Sequence, residues 1–190
     1  MTSINRFLNF DFKTLTDDEI RTVGFLLLKS FQFKGWGNPF NYNRFMEFIQ
    51  AKLLGYTLTT VGGGSDGINE QNETTEFKAT KYLGLTKKGI ERSMSFAYNG
   101  TTRMLTLEEQ KKYCYKKIMR DPLHHWTVVD YENGSSLYTI QLTNEQVWSL
   151  IWPKWEKSWY DKNAGDPRIG ASISTSELKK SDIKYVTINH

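Results

Sequence analysis

The chain has 190 residues, is 38% hydrophobic and 14% aromatic, and carries a formal net charge of +4; this is the composition of one folded domain with a real core, not of a disordered chain. A single cysteine, Cys114, excludes an internal disulfide and fits a reducing compartment, and three histidines, His124, His125 and His190, do not make a Cys/His zinc set. The N-terminal stretch lacks the apolar centre of a signal peptide, and the longest apolar run there, residues 24–28, is too short to cross a bilayer, so a cytoplasmic protein with no membrane partner is expected.

In chain order, Thr16-Asp17-Asp18-Glu19 reads as a capping box opening a helix to about Phe31, with Ile20, Val23, Leu27 and Phe31 on one stripe. Lys34-Gly35-Trp36-Gly37-Asn38-Pro39 breaks it. Asn41 or Asn43 caps a second helix to about Leu54, with Phe45, Phe48, Ile49 and Leu53 at helical spacing and Gly55 as its stop. Residues 57–61 read as a strand, followed by Gly62-Gly63-Gly64-Ser65-Asp66 and a polar turn over 69–73. A second strand spans 74–80. Residues 81–95 form a basic loop or short helix, and 94–98 a strand with Asn99-Gly100 as a turn behind it. Thr106 caps a helix to about Met119, ended by Asp121-Pro122. Residues 125–131 and 136–142 pair as a hairpin across Glu132-Asn133-Gly134. The helix that starts at Thr143 carries Trp148, Trp152, Trp155 and Trp159 as a core or interface stripe, and Pro153 should kink it or end it early. The tail mixes a loop from Gly165, a short helix from Thr175 capped by Thr175-Ser176, and a final strand over 185–188.

Chemistry concentrates between residues 57 and 82. Side chains two apart on a strand share a face, so Glu76 and Lys78 project together while Phe77 turns toward the core. A hairpin of this length folds Asp66 back beside Glu76. Two carboxylates and one ammonium at a glycine-lined edge suit a hard divalent cation with a lysine beside the water it activates. Glu47, on the preceding helix, is either a surface acid or a third carboxylate aimed at the same point. Charge is distributed accordingly: residues 78–120 hold eleven Lys/Arg against three acids, while 1–77 and 121–190 each sum to −2. A basic field beside a cation site favours a polyanionic substrate, of which nucleic acid is the commonest. The run from Lys111 to Lys117 alone reads equally as a solvated helix face.

Asp66, nine intervening residues, and then Glu76-Phe77-Lys78 resemble the motif of the PD-(D/E)XK nuclease superfamily, in particular that of type II restriction endonucleases. Ser65 stands where that motif carries proline. The likeness covers roughly residues 40–142 and implies an α/β (α+β) fold, with a mixed central sheet flanked by helices and an αβββαβ core. The whole chain is then one nuclease domain, and residues 143–190 add recognition or dimer elements. The resemblance implies Mg²⁺-dependent hydrolysis of double-stranded DNA at a specific sequence by a homodimer. Asp66, Glu76 and the Phe77 carbonyl would hold the ion, with Glu47 matching the helix acid that some members add. Lys78 would orient or activate water.

Backbone contacts are expected from Lys81, Lys87, Lys88 and Arg92, and base contacts from Arg168, Asn99 or Arg103. Other acid-x-Lys triplets, at Glu109, Glu177 and Asp182, lack the strand, glycine turn and preceding Asp together. Alternatives of the same class are a mismatch-repair nicking enzyme and a junction resolvase. A non-catalytic DNA-binding protein is the alternative of another class. A metal-finger site at His124-His125 competes with a packed role for those rings.

Overall fold

The computed structural model describes residues 16–41, 43–60, 64–132, 135–161 and 168–190. The expected strand end at Val61, the glycines Gly62 and Gly63, the Asn133-Gly134 turn, the start of the tail loop (residues 165–167) and the N-terminal segment lie outside them.

Helix α1 (Asp17–Phe33) opens on the capping box of Thr16 and Glu19, and α2 (Arg44–Leu53) follows. The chain then forms a meander of β1 (Thr57–Leu58), β2 (Gly67–Ile68) and β3 (Thr74–Lys81). Strand β4 (Ser95–Thr102) leaves the sheet, α3 (Leu107–Met119) crosses back, and β5 (Leu123–Asp130) lies parallel to β3. After β5 come β6 (Ser135–Thr143), α4 (Asn144–Tyr160), β7 (Arg168–Ser174), α5 (Thr175–Lys180) and β8 (Val186–Asn189). The main sheet is mixed, in the order β1-β2-β3-β5-β6-β8, and β4 pairs with β7 in a separate two-stranded sheet.

Helices flank the main sheet, and strand alternation decides which side chain meets which layer. From β3 and β5, Phe77 and His125 turn toward α1 and α2, where Phe31, Ala51, Tyr56 and Leu58 form a small core. Trp126 and Val128 turn the other way, into a larger core with Phe96, Tyr98, Cys114, Ile118, Ile151 and Trp155. Residues 124–129 are therefore buried on both faces, the signature of a central strand. Ile169, Ile173 and Leu178 belong to the same large core, as do Val147, Ile151 and Trp155 of α4.

Several expectations are corrected. The expected two-strand hairpin is a three-strand meander, because Gly67 and Ile68 pair on both sides. Asn99 and Gly100 are no turn; they lie within β4, facing β7. The tail read as loop becomes strand from Arg168, and Ser174, not Thr175, caps α5. Helix α4 runs through Pro153 to Tyr160, its tryptophans held by the core. In α1, Ile20 and Val23 are exposed and only the C-terminal end of the stripe is buried. Asn43 precedes α2 in a left-handed conformation without a side-chain cap, and α2 buries Gln50 and Ala51 in place of Phe45 and Leu53.

Candidate functional site

Strand β2 covers β3 only at Thr74 and Thr75. Beyond Thr75, no described strand pairs with that edge of β3, and a cleft of about 550 Å³ opens there. Glu47 and Gln50 of α2 line it on one side. Tyr98 and Asn99 of β4 and Lys117 of α3 line it on the other, with Glu76, Phe77 and Lys78 at its floor.

Asp66 and Glu76 are brought together. Asp66 N–H donates to the Thr75 carbonyl at 3.0 Å, and the Phe77 N–H donates to Asp66 Oδ2 at 2.8 Å. The Asp66 carboxyl is pushed up to about 7, first by burial and then by the charges of Glu76 and Glu47, against the pull of Lys78. Glu76 moves the other way. Burial raises it, but Lys78 and then Arg120 outweigh burial and hold it below the usual carboxylate range. Both Glu76 oxygens are engaged: Lys78 Nζ contacts Oε1, and Arg120 Nη2 lies 3.0 Å from Oε2.

Lys78 Nζ also donates to the Phe77 carbonyl at 3.1 Å and lies 5.4 Å from the centre of the Tyr98 ring. Burial alone would lower its pKa, but Glu76 and Asp66 override burial and raise it. Lys78 is accordingly a fixed ammonium and not a base in waiting. Glu47 pairs with Arg44 at 2.7 Å. Arg44 is itself anchored to the carbonyls of Trp36 and Thr59.

His124 and His125 have structural roles. Tyr98 OH accepts from Trp126 Nε1 at 2.7 Å, which leaves its proton for His124 Nδ1 at 3.0 Å. His124 Nε2 then donates to the Ile118 carbonyl at 3.2 Å, a neutral ring with both nitrogens committed. His125 is likewise committed, to Thr75 and Gln141, and burial holds it down at about 4. Neither ring is free to bind a metal. Among the described residues, no group of three or more His, Cys, Asp or Glu is placed to hold a metal ion.

The basic residues separate into two regions. Lys81 lies five residues beyond Glu76, roughly 17 Å along an extended strand, and contacts Glu132 at 3.5 Å. Lys87 and Lys88 are exposed on the following loop, and Arg92 donates to the Leu85 carbonyl at 3.3 Å. Arg103 Nη2 donates to the carbonyls of Ser158 and Asp161 at the end of α4. Arg168 opens β7 opposite Thr102. The basic residues next to the cleft come instead from α3 and its end: Lys117 donates to the Asn99 carbonyl at 2.7 Å, and Arg120 reaches Glu76.

Sequence reasoning missed Gln50, Arg120 and Asp121. Gln50 had a signal, since Glu47, Gln50, Ala51 and Leu54 keep the helical period. Asp121 was read only as a helix stop, yet it is fully buried and holds Arg120 at 2.8 Å. Nothing local marks Arg120 apart from its basic neighbours. No protein-family model matches this sequence, and no curated protein matches it either.

Proposed function

We propose that the protein is a Mg²⁺-dependent endonuclease that hydrolyses phosphodiester bonds of double-stranded DNA, of the PD-(D/E)XK kind and resembling type II restriction enzymes. The observation that carries this reading is the convergence of Glu76, Lys78 and the Phe77 carbonyl on one cleft at an open strand edge, with the Asp66 carboxylate held beside them by the Phe77 N–H. The connectivity α2-β1-β2-β3, then the detached strand β4, then α3, then β5 parallel to β3, supports it as the αβββαβ outline that this resemblance implies, with β4 interposed.

The donor set fits the ion. Mg²⁺ is usually bound through one or two carboxylates, several waters and substrate phosphate rather than by a full protein cage. Asp66 and Glu76 supply the carboxylates and Phe77 a carbonyl. The Asp66 carboxyl is raised to about 7 first by burial and then by the charges of Glu76 and Glu47, and the acid part of that shift is negative charge that a cation would relieve. When bound, the ion supplies Lewis acidity and a lower pKa for its water. Lys78, held protonated, orients that water and opposes charge building on the phosphoryl oxygens. Lys117 and Arg120, beside the cleft, would meet the substrate backbone, and the exposed lysines of α3 would extend that basic surface. A palindromic target would be met by a homodimer.

One observation favours a second reading. Glu76 has both oxygens tied by Lys78 and Arg120, which also suits a DNA-binding protein without catalysis. The test is incubation with several DNAs, with and without Mg²⁺, beside Lys78→Ala. Discrete fragments that need both the ion and Lys78 support the restriction-type reading, and nicks confined to mismatched or branched DNA support a structure-specific nuclease. Binding without cleavage of any substrate overturns the nuclease proposal in favour of the binding protein.

A further inference from the structure

Gln50 lies one helical turn beyond Glu47 on α2, is 1% exposed, and lines the cleft. Its Nε2 donates to the Lys78 carbonyl at 3.0 Å and to Thr127 Oγ1 at 2.7 Å. Thr127 Oγ1 is in turn 2.8 Å from Thr139 Oγ1, which is 2.8 Å from His190 Nε2. Because a carbonyl can only accept, the contact with Lys78 fixes which end of the amide carries the nitrogen. Oε1 is thereby fixed as well, and this buried acceptor has no hydrogen-bond partner in the protein. Buried polar atoms are seldom left so, and leaving one unpaired is costly. In a residue that lines a polar cleft, a water is the natural partner.

We infer that Gln50 Oε1 accepts a hydrogen bond from a water in the shell of a divalent cation held at Asp66 and Glu76. Gln50 is then a positioning residue of the cation site, acting through that water. The inference rests on the reading of the cleft as a cation site. It adds to that reading a residue type that acid and histidine counts pass over, since amide oxygens also serve hard cations.

The test is calorimetric titration of the full chain with Mn²⁺ and Mg²⁺ at fixed pH, comparing the wild type with Gln50→Glu, Gln50→Leu and Glu76→Gln. Gln50→Glu and Gln50→Leu both lose the Nε2 tether, so thermal unfolding should fall in both. Their ion affinities should diverge. Gln50→Glu keeps the oxygen and adds charge, and is expected to bind the ion about five-fold more tightly; Gln50→Leu should bind about five-fold more weakly. If the two variants shift affinity alike while Glu76→Gln abolishes binding, Gln50 is a tether only and the inference fails alone. If the wild type takes up no ion, or Glu76→Gln leaves uptake unchanged, the cation-site reading fails and this inference with it. Should Gln50→Leu not fold, tighter binding by Gln50→Glu than by wild type still supports the role, and equal or weaker binding overturns it.

Discussion

Arg120 reaches Glu76 from the end of α3, with Nη2 3.0 Å from Oε2, while the buried carboxylate of Asp121 holds the same guanidinium 2.8 Å away. The arginine thus sits where a cation at Glu76 would need room, and its side chain lies over Gly64, two residues before Asp66. Replacing Arg120 by Ala should free one Glu76 oxygen and tighten divalent-ion binding about five-fold, equivalent to roughly 1 kcal/mol. It should also destabilise the fold by about 1–3 kcal/mol, because Asp121 is left buried without its partner. Calorimetry reads the first effect and urea unfolding the second. Weaker ion binding in the variant would count against a competing role for Arg120.

Asp66 predicts a pH dependence of definite sign. Its folded-state pKa, about 7, stands above its ordinary value of 3.8. Between those values the native state holds a proton that the unfolded chain has released, so this contribution is complete at low pH and is lost as pH rises through about 7. Asp66→Asn should therefore flatten the decline in urea midpoint between about pH 4 and about pH 7. Ion uptake near neutral pH should also expel part of a proton from Asp66. Calorimetric heats would then vary with the ionisation enthalpy of the buffer in the wild type and not in Asp66→Asn.

The two basic regions should differ in their use. Lys112 and Lys116 are exposed on the same helix as Lys117, whereas Lys87 and Lys88 sit beyond the far end of β3. If DNA is bound across the cleft, Lys112→Ala and Lys116→Ala should each lower the slope of log affinity against log salt by about one. Lys87→Ala and Lys88→Ala should change it less. Fluorescence anisotropy across a salt series measures this, and the reverse ranking would move the binding surface to the loop.

Gly100 offers a test of the smaller sheet. A Cβ there would meet the Ile169 carbonyl oxygen at 2.9 Å as well as the Ile169 side chain, so the clash involves backbone. Gly100→Ala should cost about 1–3 kcal/mol. Gly170→Ala, on the partner strand with no atom within 4 Å of the added carbon, should stay within about 0.5 kcal/mol. Urea denaturation of the pair measures both.

Much of the fold was legible because local chemistry agreed with tertiary placement. Thr16, Thr106 and Thr143 each form the capping box that their sequences announce, and the strand read over residues 94–98 is the first half of β4 (Ser95–Thr102), where Phe96 and Tyr98 are buried. The misreadings have a common cause in tertiary context. Asn99-Gly100 has turn chemistry, but β7 lies alongside and keeps it extended. Pro153 breaks helices in isolation, yet Trp152 and Trp155 on either side are held in the core.

At the site, the spacing of Asp66, Glu76 and Lys78 was readable because strand periodicity places side chains directly. Arg120 was not readable: it approaches Glu76 from 44 positions away in sequence, and only the crossing of α3 back to the sheet brings the two together.

The brevity of β2 has one more consequence. Its pairing with β3 stops where Asp66 begins, so the opening depends on the residues just upstream declining to continue as a strand. A variant in which residues 64–66 zipped onto residues 76–78 would spend the Phe77 N–H on backbone pairing, release the Asp66 carboxylate that it now holds, and shut the door on any ligand. Access here is thus tied to how far one ribbon extends, and the Asp66 carboxylate holds the donor that the next rung would need.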